Sequence, residues 1–417
     1  LFMAKAKKKR SIDEIANGMI ERLNKKLGKG KQICFSLNDG VDPAKIDRWY
    51  STRSILLDSI MSGNRAEGGA PGGRYVEIAG AESIGKSHIC YQMARDVLES
   101  GGVVMYIDTE LATSIENLKA LGVDVESNRF TYSKVDSIEG VFEVAEEYLK
   151  EWQELWKEVP IAIFWDSIGG IGSRKEVVRA YDDEQMVGLN AKQITMCLRK
   201  FTPHLNESGA SFNMVNQEYD VIGANMYTSE KTKTKGGSGV RYWSSIRIGL
   251  SKVRDVYPED IKKSEARDKG VPACGIRVRA KTRKNKIAAP HRVVEFDIHF
   301  GVGIKEHMPI WEMFIDQVDG ITVGDKIYIF KGGAYKTIET FDASTGESLN
   351  KDSFRQKNIE EKLMVEHFET ITKPCLSKIM GTIMDRSNKE ASEYDPDTDD
   401  ADEGEDSEEN IMKELDV

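Results

Sequence analysis

Ile12, Ile15, Ala16, Met19, Ile20, Leu23 and Leu27 recur at i, i+3, i+4, i+7, i+8, i+11 and i+15, one apolar stripe along an α-helix. Ser11 and Glu14 form a capping box at its start, and Gly28 stands just past its end. A short strand-like run, Ile33-Cys34-Phe35-Ser36-Leu37, follows. From about 74 to 300 the pattern becomes strand, helix, strand, as in a mostly parallel sheet. The expected strands are Tyr75–Ala79, Val103–Asp108, Ile161–Asp166, Ser211–Asn216, Ser245–Leu250, Ile276–Ala280 and Val293–His299. Residues 302 to 380 read as a smaller mixed α/β region with Trp311, Phe314, Tyr328 and Phe330 in its core. Beyond about 386 apolar residues thin out and the sequence reads as disordered. These boundaries give a basic arm over 1–10, an N-terminal helix and strand over 11–50, a core over 51–301, a small domain over 302–386 and an acidic tail over 387–417.

A chain of 417 residues can bury a large core. It has no apolar run near ~20 residues, so nothing is expected to span a bilayer. The basic, polar N-terminus lacks the apolar stretch of a signal peptide. Five scattered cysteines without a C-x-x-C pair argue for reduced thiols in the cytoplasm, against a disulfide framework and against a zinc site. The net charge of −10 is unevenly placed: Glu390 to Glu409 holds twelve acidic residues and no basic one. The rest, up to residue 389, sums to about +3, which suits a nucleic-acid binder whose tail competes for its own basic surface. A purely solubilising tail would have the same composition.

Residues Gly80-Ala81-Glu82-Ser83-Ile84-Gly85-Lys86-Ser87 form a complete G-x-x-x-x-G-K-S phosphate loop. A strand pattern precedes it, and a run free of helix breakers starts at His88, so strand, loop and helix come in the required order. The glycines let backbone N–H groups wrap a phosphate chain. Lys86 reaches the β- and γ-phosphates in such loops, and Ser87 offers its hydroxyl to magnesium. The apolar run Ile161-Ala162-Ile163-Phe164-Trp165 ends in Asp166, which fits the second nucleotide motif and the magnesium shell. An ordinary strand end capped by aspartate would look the same in isolation; the phosphate loop is what favours the functional reading. Glu110, just past the Val103–Asp108 strand, can accept a proton from an attacking water. Residues 218–239 interleave Tyr219, Ile222, Met226 and Tyr227 with Lys231, Lys233, Lys235 and several glycines, a pattern suited to bases and phosphates in turn. Lys281, Arg283, Lys284 and Lys286 cluster ahead of Ile287-Ala288-Ala289-Pro290. Composition leaves them as either a DNA patch or a phosphate-facing group.

Taken together these residues resemble the RecA recombinase family over most of the chain. The resemblance is carried by Leu27-Gly28-Lys29-Gly30, the phosphate loop, Ile107-Asp108-Thr109-Glu110, Asp166-Ser167, Asn216-Gln217, Gly236-Gly237, Lys284-Asn285-Lys286-Ile287-Ala288-Ala289-Pro290 and Phe300-Gly301-Val302-Gly303-Ile304. It implies an α/β fold: a P-loop NTPase core of the RecA type with a mostly parallel twisted sheet, a small N-terminal α/β segment and a small C-terminal α/β domain. It also implies ATP and Mg²⁺ as cofactors, with residues 80 to 88, Asp166 and Phe300 around the nucleotide. Glu110 would be the catalytic carboxylate and Gln217 the γ-phosphate sensor. Lys284 and Lys286 would reach the ATP of a neighbouring copy, against which the N-terminal helix and strand would pack.

Two DNA-binding loops are implied, over about 173–187 and 218–239. They and their flanks bring in Arg174, Lys175, Val187, Gly188 and Arg199, then Ile222, Gly223, Ala224, Met226, Lys233, Lys235, Gly236, Gly237 and Arg241. Partners would be single- and double-stranded DNA, further copies of the chain in a helical filament, and single-strand-binding and loader proteins. The sequence departs from the family pattern at Asn117, at the Gly239-Val240 pair and at Arg241, which points to a divergent, UvsX-like member. A hexameric helicase of the same core would lack the 284–290 string, and an accessory protein that never turns ATP over would not need Lys86, Asp166 and Glu110 together.

Overall fold

The structure is a computed structural model, described over residues 11–28, 32–40, 42, 44–65, 68–178, 188–220, 232–258 and 263–382. The chain divides into two compact units, Leu1–Asp47 and Arg48–Val417.

In the first unit the apolar stripe forms the helix Ile12–Leu27. Its capping box is complete: Glu14 N–H donates to Ser11 Oγ at 3.1 Å, and Ser11 N–H to Glu14 Oε2 at 3.0 Å. The expected strand over 33–37 does not form among the described residues. The Asn24 side chain takes the backbone groups that a strand would need, accepting the N–H groups of Ile33 and Cys34 and donating to Cys34 C=O. A 3₁₀ turn, Leu37–Asp39, then closes on Gly40 at φ +75°.

The second unit is built on a ten-stranded sheet. Its main path runs 303–305, 293–299, 275–285, 246–256, 74–80, 211–220, 161–166, 103–108 and 130–133, with 232–234 paired to the end of 211–220. The six strands from 246–256 to 130–133 are mutually parallel. The three at the other edge pair antiparallel. Alternation along each parallel strand feeds two separate cores. Val76, Ile78, Val104, Tyr106 and Phe164 pack with the helix Lys86–Glu99 on one face. Tyr75, Met105, Ile163, Trp165 and Phe212 pack with the helices Ile138–Glu151 and Leu189–Ser208 on the other.

All seven expected sheet strands are present. The edge strand Phe130–Ser133 escaped the sequence reading because its four residues carry no apolar run. The C-terminal region holds the helix His307–Ile315 and a four-stranded antiparallel sheet over 321–354. Trp311, Phe314, Tyr328 and Phe330 are buried there, with the Phe314 and Phe330 rings 4.5 Å apart.

Parallel pairing has a consequence for chemistry. In register, Gly80 lies opposite Gln217 and Asp108 opposite Asp166, so four strands deliver their C-terminal ends to one edge. Ligands of open α/β sheets bind outside that edge.

Candidate active site

The strand Arg74–Gly80 hands the chain to the phosphate loop, which needs left-handed backbone at Ser83 (φ +56°) and Gly85 (φ +90°). At Gly85 that backbone favours glycine, and a Cβ there would also push against the Ile298 Cδ1 methyl at 2.3 Å, which would have to shift. The helix Lys86–Glu99 starts here without a side-chain cap, leaving its first N–H groups to meet an anion. Lys86 folds back on the loop, donating to Gly80 C=O at 3.0 Å and Ala81 C=O at 2.6 Å. Burial lowers its pKa, while the carboxylates of Asp166, Glu110 and Glu218 push it back up.

A cavity of about 500 Å³ opens over the loop. Glu82 to His88 line it with Glu110, Asp166, Gln217 and the half-exposed Phe300; Val215, Ile276 and Ile298 form its apolar wall. Gly80 and Ala81 contribute the carbonyls that hold Lys86. Every expected nucleotide residue therefore converges on one site.

Asp166 is buried at the strand end and accepts the Tyr106 hydroxyl at 2.6 Å. Burial raises its pKa; hydrogen bonds from Tyr106 and Ser87 oppose the rise. The Ser87 hydroxyl and the Asp166 carboxylate are thus adjacent hard oxygen donors beside a phosphate-binding loop, a set that fits magnesium. Glu110 is exposed at the mouth. Its Oε1 accepts the Gln217 amide at 3.0 Å and the Ser167 hydroxyl, so the expected base and the expected sensor are bonded directly.

Lys284 and Lys286 do not line this pocket. Lys284 donates to the C=O groups of Arg241 (2.5 Å) and Tyr242 (2.9 Å) in the last turn of the helix Gly237–Trp243. Lys286 donates to Tyr242 C=O at 3.4 Å and lies 5.5 Å from the centre of its ring. Burial, then the neighbouring charges of Lys286 and Arg247, lower the Lys284 pKa to about 8.

The expected DNA-loop residues that the structure describes lie outside this pocket. Arg174 makes a two-pronged pair with Glu143 at 2.7 and 2.5 Å, and Lys175 is exposed on the same short helix. Gly188 (φ +80°) opens the helix Leu189–Ser208, which carries Arg199 on its surface. Lys233 and Lys235 are exposed beside the strand Thr232–Thr234, Gly236 (φ +90°) and Gly237 (φ +66°) start the next helix, and Arg241 is exposed on it. Val187, Ile222, Gly223, Ala224 and Met226 lie outside the described residues, as do Lys231, Tyr227 and the acidic tail.

Sequence reasoning missed the anchor beneath the second loop. The Asn216 amide bonds the backbone of Lys235 in both directions, at 2.8 and 3.2 Å, and donates to buried Glu77, which in turn pairs with Arg247. Glu77 inside an apolar strand was the readable signal, because an unpaired buried carboxylate is costly.

A parallel sheet with a phosphate loop, an acid-ended neighbouring strand and a carboxylate at the mouth defines a P-loop nucleoside triphosphatase. A family model described as the RecA N-terminal domain matches residues 14–305. Protein RecA of Mycobacterium marinum (strain ATCC BAA-535 / M) is 32% identical over 357 residues, covering 85% of this chain and 89% of that protein. Protein RecA of Salinispora tropica is 28% identical over 350 residues, covering 83% and 89%. Protein RecA of Arthrospira platensis is 31% identical over 288 residues, covering 69% and 70%. The chain belongs to the RecA family, the recombinase ATPases of recombination and repair. Among the described residues no helix is long and apolar enough to cross a membrane.

Proposed function

We propose that the protein polymerises on single-stranded DNA as a helical filament, pairs that strand with a homologous duplex and exchanges strands, with DNA-stimulated ATP hydrolysis resetting the filament. The observation that carries this reading is the hydrogen bond between Gln217 and Glu110. Gln217 belongs to the strand Ser211–Asp220, which runs straight into the second DNA loop, so the group at the triphosphate and the DNA loop share one backbone.

In the reaction, Gly85 and the first turn of the Lys86–Glu99 helix cradle the phosphates, Lys86 leaves its carbonyls for the β- and γ-oxygens, and Phe300 stacks on the base. Magnesium, held by Ser87 and Asp166, would offset charge on the phosphate oxygens. Glu110 takes a proton from water as the water oxygen bonds to the γ-phosphorus; the bond to the bridging oxygen breaks, giving ADP and phosphate. Lys284 and Lys286 give up the helix carbonyls and serve the triphosphate of an adjacent copy, as an arginine finger does in trans. Arg174, Lys175, Arg199, Lys233, Lys235 and Arg241 supply phosphate contacts for DNA.

Electron microscopy with ATP and single-stranded DNA, alongside a strand-exchange assay using a homologous duplex, tests this. Helical filaments and exchanged product are expected. Closed rings without exchange would overturn the reading in favour of a helicase.

A further inference from the structure

The strand Val103–Asp108 ends in an aspartate whose carboxylate turns towards the chain that follows it. Asp108 Oδ1 accepts the N–H of Glu110 at 3.0 Å and of Leu111 at 2.7 Å. Oδ2 accepts the N–H of Thr113 at 2.9 Å and the hydroxyl of Tyr132 at 3.0 Å. A carboxylate offers about four lone-pair sites, and four donors occupy them. Although Asp108 lies opposite Asp166 in register, it is committed to the loop and not to a metal.

The turn so closed is one the sequence would not choose alone. Leu111 sits at φ +55°, and its side chain is 64% exposed, so burial does not compensate for the left-handed backbone. The bonds to Asp108 supply that compensation, since hydrogen bonds to a charged acceptor are the strong ones. Glu110 lies inside the turn. Its backbone is fixed from Asp108, while Thr109 ties the same segment to Ser167 C=O at 2.6 Å and to Asp166 C=O at 2.8 Å. Ser167 and Gln217 then hold the Glu110 carboxylate itself.

We infer that Asp108 is a positioning residue for ATP turnover: by gathering the N–H groups of Glu110, Leu111 and Thr113 it aims the Glu110 carboxylate at the phosphate pocket, with Tyr132 anchoring it to the edge strand. The inference rests on Glu110 being the general base. It also gives the edge strand Phe130–Ser133 a role, since Tyr132 is the donor that reaches Asp108 from outside the loop.

The test uses the full chain on single-stranded DNA with ATP, comparing Asp108→Asn, Tyr132→Phe, Glu110→Gln and the double variant Asp108→Asn/Glu110→Gln. Asparagine keeps the shape but turns an amide towards two of the four donors. Its kcat should fall roughly 10- to 100-fold, the scale of a reacting group displaced by about an ångström. KM for ATP and the affinity for a fluorescent ATP analogue should stay within about twofold of wild type. Tyr132→Phe should lower kcat several-fold in the same sense. In the Glu110→Gln background Asp108→Asn should cost less than about twofold more, because residues acting through one another are not additive. An equal loss in both backgrounds, or a wild-type kcat for Asp108→Asn, overturns the inference. A wild-type kcat for Tyr132→Phe does the same should Asp108→Asn not fold. Full turnover by Glu110→Gln overturns the base assignment and the inference together, whereas a slow Glu110→Gln beside a fast Asp108→Asn overturns the inference alone.

Discussion

Replacing Glu110 by glutamine separates position from basicity. Both hydrogen bonds made to its carboxylate, from Gln217 at 3.0 Å and from Ser167, end on the same oxygen, Oε1. A glutamine that places its amide oxygen there keeps both acceptor roles and the same side-chain shape. Only the capacity to take up a proton is lost. General-base removal typically costs about 10²–10⁴ in rate, which is roughly 3 to 5 kcal/mol in the barrier at ~1.4 kcal/mol per tenfold. Binding should move the other way or not at all. Glu110 is one of the carboxylates whose charge acts on Lys86, so neutralising it removes a negative charge facing an incoming triphosphate. Chemical-quench measurement of a single ATP turnover on single-stranded DNA gives the rate, and titration with a fluorescent analogue gives the affinity. The expected result is slow turnover with affinity equal to or above wild type. Turnover within about threefold of wild type would remove Glu110 from the base role, and a matching loss of affinity would make its contribution one of binding.

Lys284→Ala protein and Glu110→Gln protein, each inactive alone, should regain ATPase activity when mixed, because some interfaces then combine an intact lysine pair with an intact base; no recovery at any ratio refutes a shared site. Truncation after Lys389 removes the twelve acidic residues of 390–409 and should strengthen duplex binding at low magnesium, the two proteins converging as magnesium rises; coincident binding curves at low magnesium refute tail competition. Glu306 is buried against Ser54 and the N–H groups of Ile55 and Leu56, and burial pushes its pKa from 4.5 up to about 7, with those hydrogen bonds opposing the rise. A raised folded-state pKa gives stability that is full below the unfolded value and lost as pH rises through the folded one. Wild type should therefore lose roughly 2 kcal/mol between pH 5.5 and 8 that Glu306→Gln does not lose. Urea unfolding at both pH values checks this, and parallel losses in the two proteins refute it.

The parts of the site that were legible in the sequence are those whose chemistry is local. The phosphate loop needs consecutive residues, because Gly85, Lys86 and Ser87 act on one ligand through one stretch of backbone, so spacing alone identifies it. The acid at 166 was readable because it interrupts an apolar strand at its end. What stayed hidden depends on pairing between distant strands. Asp108 lies in a motif visible in the sequence, and three of its four donors follow within five residues, but the fourth, Tyr132, comes from twenty-four residues on, in an edge strand with no apolar run to announce it. Asn216 stood beside Gln217 in plain view, but its partner is Glu77, brought alongside only when 211–220 pairs in parallel with 74–80. The run 33–37 failed for the opposite reason. Its residues have strand propensity, but propensity is a weak local preference that side-chain competition overrides, and Asn24 supplies that competition from one helix turn before Gly28. The same reasoning explains Lys284 and Lys286. Their cluster was evident from composition, but that they cap the helix descending from the second loop follows from the strand 275–285 running past its apolar segment Ile276–Ala280 to pair with 246–249. A hydrophobic pattern reports burial; it is silent on a strand that continues past its apolar residues, and it is in that polar stretch, 281–285, that Lys281, Arg283 and Lys284 sit.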